Sequence, residues 1–149
     1  GDGEEEHALR EQVKRLGFVD RVTFLGAVSQ SELAEIYNAV DIMVLASSRE
    51  GWANVLLESM ACGTPVVATR IWGTPEVVAR PAAGVLVSDR SGKGLAEGVT
   101  QLLMNLPTNA ETRCYAEQFS WDETVAALGA LMKDVVVGNQ PEKIQGVSG

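Results

Sequence analysis

The fold is decided by residues 41–69, which read DIMVLASSREGWANVLLESMACGTPVVAT. The apolar runs at residues 41–46 and 65–69 are each typical of a short strand that is buried on both faces of a parallel sheet. Residues 54–61 between them predict a helix, which Gly63 ends. A strand, a helix and a second strand in this order predict parallel strands joined by a right-handed crossover.

The same alternation continues on both sides of this unit. Further strands are expected at residues 22–25 and 84–87, and helices at residues 5–16, 29–39, 74–79, 91–105, 109–118 and 121–137. Ser29 with Glu32 and Ser120 with Glu123 have the spacing of capping boxes, and Thr74 before a proline is expected to cap a short helix. The sequence therefore predicts an α/β protein with a Rossmann-like, doubly wound parallel sheet.

The length and composition favour one folded domain at residues 1–137, followed by a flexible tail at residues 138–149. The formal net charge of −8 disfavours a nucleic acid partner. Cys62 and Cys114 are the only two cysteines, and the absence of a C-x-x-C pair or a histidine cluster argues against a disulfide framework and against a metal site. A reducing cytoplasm fits this cysteine usage.

Two carboxylates flank the start of the helix that follows residues 41–46. Glu50 lies in the loop before the helix, and Glu58 lies within it. A helix N-terminus offers backbone N–H groups and a partial positive charge to a phosphate group, and Gly51 lets the backbone approach such a ligand. Because carboxylates repel phosphate, these two are better suited to hydroxyl groups on either side of it. A nucleotide sugar supplies both, as a ribose diol and as hexose hydroxyls.

Residues 48–69, SREGWANVLLESMACGTPVVAT, resemble the E-x7-E signature of family 4 (group 1) retaining glycosyltransferases. The resemblance continues in register at residues 73–78 (GTPEVV), 84–87 (GVLV) and 119–121 (FSW). It implies a GT-B enzyme with two Rossmann-like domains, of which this chain would be the C-terminal, donor-binding one. On the same grounds the chain is expected to be truncated at its N-terminus.

The resemblance also implies a role for each residue of the motif. Glu50 would be the catalytic residue and would bond the donor hexose, while Glu58 would bind the ribose diol. The backbone around Val28 would contact the base. The complete donor-binding set that it implies is Val28, Glu50, Gly51, Trp52, Ala53, Asn54, Val55 and Glu58. It implies no metal and no cofactor besides the nucleoside-diphosphate sugar, which is a substrate.

Parts of such an enzyme lie outside this chain. The basic residues that clamp the diphosphate and the N-terminal acceptor domain would lie upstream, so the fragment alone is expected to be inactive. The acceptor, whether a sugar, a lipid or a small molecule, stays open, as does peripheral association of the full-length enzyme with the cytoplasmic face of a membrane. Trp72 stands where the family usually has the first glycine of a Gly-Gly pair.

Simpler interpretations remain for several of these residues. Glu50 and Glu58 can be ordinary exposed carboxylates at a helix start. Asn54 is expected mainly to cap the helix, although it can also contact the donor, and Trp52 is expected to pack in its loop rather than to stack on a ligand. A non-catalytic nucleotide-sugar-binding or scaffold domain is the main alternative function, and a nucleotide-sugar epimerase is disfavoured by the E-x7-E context.

Overall fold

The computed structural model describes residues 5–49, 53–119 and 132. The chain divides into two compact units, Gly1–Ala116 and Glu117–Gly149, and every element named below belongs to the first. Its helices are α1 (Glu6–Arg15), α2 (Gln30–Ala39), α3 (Asn54–Ala61), α4 (Thr74–Val77), α5 (Gly92–Met104) and α6 (Asn109–Ala116), and its strands are β1 (Met43–Leu45), β2 (Val66–Thr69) and β3 (Gly84–Val87).

The described strands form one parallel sheet in the order β1-β2-β3. Val66, Val67 and Ala68 of β2 are fully buried, as expected of a central strand with both faces covered. The register pairs Val67 with Val44 on one side and with Val85 on the other. The predicted α/β fold with a parallel sheet is confirmed.

Helices pack against this sheet through apolar side chains. The helix α3 joins β1 to β2 and contacts both strands, with Leu56 and Met60 completely buried. The helix α5 lies over β2 and β3, where Gly98 allows its backbone close to the Val67 and Val87 side chains. Leu102 of α5 completes a buried cluster with these two valines. The core therefore lies directly around β2.

The helix α6 is anchored by buried hydroxyl groups. Tyr115 donates a hydrogen bond from its hydroxyl to the Val77 carbonyl at 2.9 Å, and Thr112 donates to the Ala82 carbonyl at 2.8 Å. Val77 is the last residue of α4, and Ala82 lies in the segment that connects α4 to β3. These bonds hold α6 against the rest of the unit and satisfy carbonyl groups that would otherwise be costly to bury.

The strand predicted at residues 22–25 is not formed. Residues 19–21 make a single 3₁₀ turn, and the next residues pair with no described strand. Val22 and Leu25 are 40% and 58% exposed, and the guanidinium group of Arg10 lies 4.3 Å from the centre of the Phe24 ring. A strand requires a hydrogen-bonded neighbour, and the apolar alternation of this segment alone does not supply one.

The helix starts were predicted with mixed success. The capping box of Ser29 and Glu32 is confirmed in full. The cap predicted at Thr74 is wrong, because Gly73 occupies the cap position and the Thr74 hydroxyl bonds backwards to the preceding loop. The helix predicted at residues 121–137, with its Ser120 and Glu123 box, and the tail at residues 138–149 lie outside the described residues, apart from residue 132.

No helix in the described ranges is both long enough and apolar enough to span a membrane.

Gly84 offers a direct test of the β2–β3 pairing. Its φ is 136°, and a Cβ atom there would lie 1.8 Å from the Val66 carbonyl oxygen. We predict that Gly84→Ala lowers the free energy of unfolding by about 3 kcal/mol, because the strands would have to separate locally. Urea unfolding measures the change. Gly92→Ala is the matched control, since a Cβ atom there meets nothing within 4 Å; equal stability of the two variants would contradict the observed register.

Candidate functional site

The N-termini of α2 and α3 lie at the carboxyl edge of the sheet. The helix α2 leads into the start of β1, and α3 leaves from the end of β1. Both helices therefore run antiparallel to β1. Val28 directly precedes Ser29, the N-cap of α2, and is partly exposed. The topology therefore brings Val28 to the same edge as Asn54, at the position where open α/β sheets bind ligands.

The loop between β1 and α3 carries half of the predicted site. Its residues Glu50, Gly51 and Trp52 lie outside the described residues, so their roles stay predictions. Ala53, at its end, is 2% exposed and takes the N-cap position of α3 with non-helical backbone angles.

Asn54 is the first residue of α3, not its cap. The prediction that its side chain caps the helix is wrong, because no side chain caps α3 and Ala53 already makes the turn into the helix. The Asn54 side chain is exposed, whereas Val55 and Glu58 are half-buried. Asn54 and Glu58 are four residues apart and thus share one face of the helix. An amide and a carboxylate therefore extend along one side of α3 from its N-terminus.

Glu58 on α3 interacts electrostatically with the buried Tyr37 on α2. Burial of the phenol raises the pKa of Tyr37, and the negative charges of Glu58 and Cys62 add to this effect. The two residues belong to helices that pack against each other. Tyr37 was not predicted as a neighbour of the site, although a large aromatic residue within α2 was a signal for it.

A hydrogen bond ties the loop after β1 to the end of β2. The Thr69 hydroxyl donates to the Ser47 carbonyl at 2.7 Å, and Thr69 is almost completely buried. Because Thr69 is the last residue of β2, the bond joins two neighbouring connections at the carboxyl edge. No pattern in the sequence predicted this hydrogen bond.

Two arginines follow strands at this edge. Arg49 follows β1 by four residues and Arg70 directly follows β2, and both are exposed. Positive charge of this kind favours an anionic ligand. In the part of the chain that the structure describes, no three His, Cys, Asp or Glu residues come together as a group that could hold a metal ion.

The electrostatic interaction between Glu58 and Tyr37 can be tested by titration. We predict that Glu58→Gln lowers the pKa of Tyr37 towards its usual value, because a negative charge is removed, while burial keeps it raised. NMR titration of ring-labelled tyrosine measures this pKa. Glu97→Gln on the exposed face of α5 should leave it unchanged. An equal shift in both variants, or in neither, would contradict the position assigned to Glu58.

Known proteins share this sequence and this fold. Residues 1–119 match the family described as "Glycosyl transferases group 1". The N-acetyl-alpha-D-glucosaminyl L-malate synthase of Bacillus anthracis is 36% identical over 150 aligned residues, which cover 97% of this chain and 39% of that protein. The D-inositol 3-phosphate glycosyltransferase of Mycolicibacterium smegmatis is 40% identical over 116 residues, which cover 76% of this chain and 26% of that protein.

Solved structures agree with these sequence matches. Sucrose-phosphate synthase from Thermosynechococcus elongatus superposes with a TM-score of 0.79 at 28% identity, over 93% of this chain and 36% of that one. HepE of Anabaena, in complex with UDP-glucose, superposes with a TM-score of 0.68 at 29% identity, over 78% of this chain and 34% of that one. The chain thus spans well under half the length of these relatives. The predicted family is confirmed, and the chain belongs to the group 1 glycosyl transferases.

Proposed function

We propose that this chain binds the nucleoside-diphosphate-sugar donor of a hexosyltransferase that retains the anomeric configuration. The observation that carries the proposal is the shared face of Asn54 and Glu58, which starts at the N-terminus of α3 on the carboxyl edge of the sheet. Glu58 accepts hydrogen bonds from the ribose diol through its two carboxylate oxygens.

The diphosphate binds at the first turn of α3. Backbone N–H groups there lack acceptors within the helix, and the helix dipole adds positive charge. Glu58 begins the second turn of the helix, so its charge is kept away from the phosphates while it still reaches the ribose. Arg49 and Arg70 offset the negative charge of the chain at this edge. Negative charge builds on the diphosphate when its bond to the anomeric carbon breaks, and the same groups stabilise it.

The hexose binds beside the loop that precedes α3. Glu50 accepts hydrogen bonds from the hexose hydroxyls and is the residue on which turnover depends most. The Gly51 to Ala53 backbone, with Trp52 packed in the loop, lines the hexose and the diphosphate, and Val55 borders them from the helix. Val28 gives backbone contacts to the base at the start of α2. HepE, whose structure holds UDP-glucose, supports a donor of this class.

The acceptor binds outside this chain. The chain spans 39% of the length of its Bacillus anthracis relative, and we assign acceptor binding and the remaining diphosphate contacts to the part that it does not cover. Transfer therefore requires the full-length protein, with no metal or further cofactor. Two cysteines without a disulfide framework support a cytoplasmic location.

Donor binding can be measured as thermal stabilisation. A panel of UDP-, GDP- and ADP-sugars should contain one that raises the Tm of the full-length protein by about 5 °C or more when it is present at roughly 100 times its Kd. Glu58→Gln should weaken the binding of that donor about ten-fold or more, because a charge-assisted hydrogen bond is lost. Glu97→Gln is the matched control and should bind like the wild type. If no nucleotide sugar stabilises the wild type, the proposal is wrong.

Glu50 is tested by turnover rather than by affinity. We predict that Glu50→Gln lowers kcat at least about a hundred-fold, because the lost contact strengthens as the hexose reacts, whereas the Kd of the donor changes much less. Steady-state kinetics with the donor selected above measure both. A Glu50→Gln enzyme with wild-type kcat would remove Glu50 from the catalytic machinery.

A further inference from the structure

Trp72 has an unusual position between β2 and α4. Its φ is +38°, and it is the single described residue other than glycine with a positive φ. Its side chain is 72% exposed, although it is one of the largest apolar side chains of the protein. Positive φ is sterically unfavourable for residues with a Cβ atom. An exposed indole also contributes no hydrophobic free energy to folding, because its apolar surface stays in water.

The backbone around Trp72 is held by a buried hydroxyl group. Thr74 Oγ1 accepts a hydrogen bond from the Ile71 backbone N–H at 3.0 Å, and it lies 2.8 Å from the Thr69 carbonyl oxygen, to which it can donate. Thr74 is 1% exposed. A loop fixed on both sides in this way can keep a strained residue in place, which is the circumstance in which strain persists in proteins.

Neither local packing nor backbone geometry explains a tryptophan at this position. Glycine would adopt the positive φ of Trp72 without a Cβ penalty, and it would leave no apolar ring in water. Both the positive φ of Trp72 and the exposure of its ring are therefore unfavourable for the stability of the described structure. Backbone strain that persists in a folded protein clusters at ligand-binding positions, and an exposed aromatic ring there offers an apolar surface to a ligand.

Trp72 also lies at the same edge of the sheet as the proposed donor site. Trp72 lies three residues after Thr69, the last residue of β2. The Thr69 hydroxyl donates to the Ser47 carbonyl of the neighbouring connection, so the loop of Trp72 and the loop before α3 are linked at one edge of the sheet. A sugar ring that is bound beside the loop before α3 would therefore lie next to the loop that carries Trp72.

We propose that Trp72 is a stacking platform for a hexopyranose ring at this edge. One face of such a ring carries mainly C–H groups, which pack against the π-system of an indole, and the indole N–H can donate to a ring hydroxyl. The ring belongs either to the donor or to a sugar acceptor. Trp72 thus sets specificity and takes no part in bond breaking. This inference rests on the proposed function.

The donor arm of the test compares two ligands on the full-length protein. The nucleotide sugar selected by the thermal panel and its bare nucleoside diphosphate are titrated by calorimetry into the wild type, Trp72→Ala and Trp72→Phe. If Trp72 stacks on the donor hexose, Trp72→Ala weakens the nucleotide sugar roughly five- to ten-fold and leaves the bare diphosphate unchanged. Trp72→Phe, which retains an aromatic ring, restores most of the affinity.

The acceptor arm uses methyl α-D-glucopyranoside and methyl α-D-mannopyranoside as probes. They are titrated into the same variants saturated with the nucleoside diphosphate. Stacking on an acceptor sugar predicts that Trp72→Ala weakens the binding of a glycoside while the donor arm stays unchanged. The inference is overturned if the donor arm shows no dependence on Trp72 and no glycoside binds in a manner that depends on it.

Thermal stability separates ligand binding from a structural role. Trp72→Gly removes the backbone strain, so its Tm should equal or exceed that of the wild type while sugar binding is lost. A lower Tm in Trp72→Gly and Trp72→Ala, with unchanged sugar binding, would show that the indole packs within the protein and would overturn the inference. Binding of a nucleotide sugar that depends on Glu58 but not on Trp72 would leave the proposed function standing.

Discussion

The burial of β2 between two parallel neighbours is the constraint on which the rest of this chain depends. Val66, Val67 and Ala68 have no exposed surface, so their backbone groups must pair with β1 and β3. Parallel pairing requires each strand to start again from the same edge, which forces the α3 crossover and the α4 connection. All turns that leave the strands consequently meet at the carboxyl edge, where the candidate site lies.

The same constraint explains how distant sequence positions become one site. Val28 and Glu58 are 30 residues apart in the sequence. Val28 directly precedes the N-cap of α2 and Glu58 lies in α3, and these two helices pack against each other. The Thr69 hydroxyl bond to Ser47 fixes the path of the chain as it leaves β1. A connection that is already held in this way loses less conformational entropy when a ligand binds next to it.

Local signals in the sequence were sufficient where the structure is decided locally. The Ser29 and Glu32 capping box needs four residues only, and the apolar run at residues 65–69 indicates a buried strand from its composition alone. Residues 22–25 were mispredicted because pairing depends on a partner strand. Asn54 was misassigned because the start of α3 is decided by the path of the preceding loop. The electrostatic interaction between Glu58 and Tyr37 depends on how α2 packs on α3, and no pattern in either helix specifies this packing.

The central claim is that a nucleotide-sugar donor is held between the N-terminus of α3 and Glu58. A crystal structure of the full-length protein with its donor tests this claim most directly. The account predicts the two ribose hydroxyls within hydrogen-bonding distance of the Glu58 carboxylate, and the diphosphate against the first-turn N–H groups of α3. A donor bound elsewhere, or a ribose held by other residues while Glu58 contacts only solvent, would contradict it.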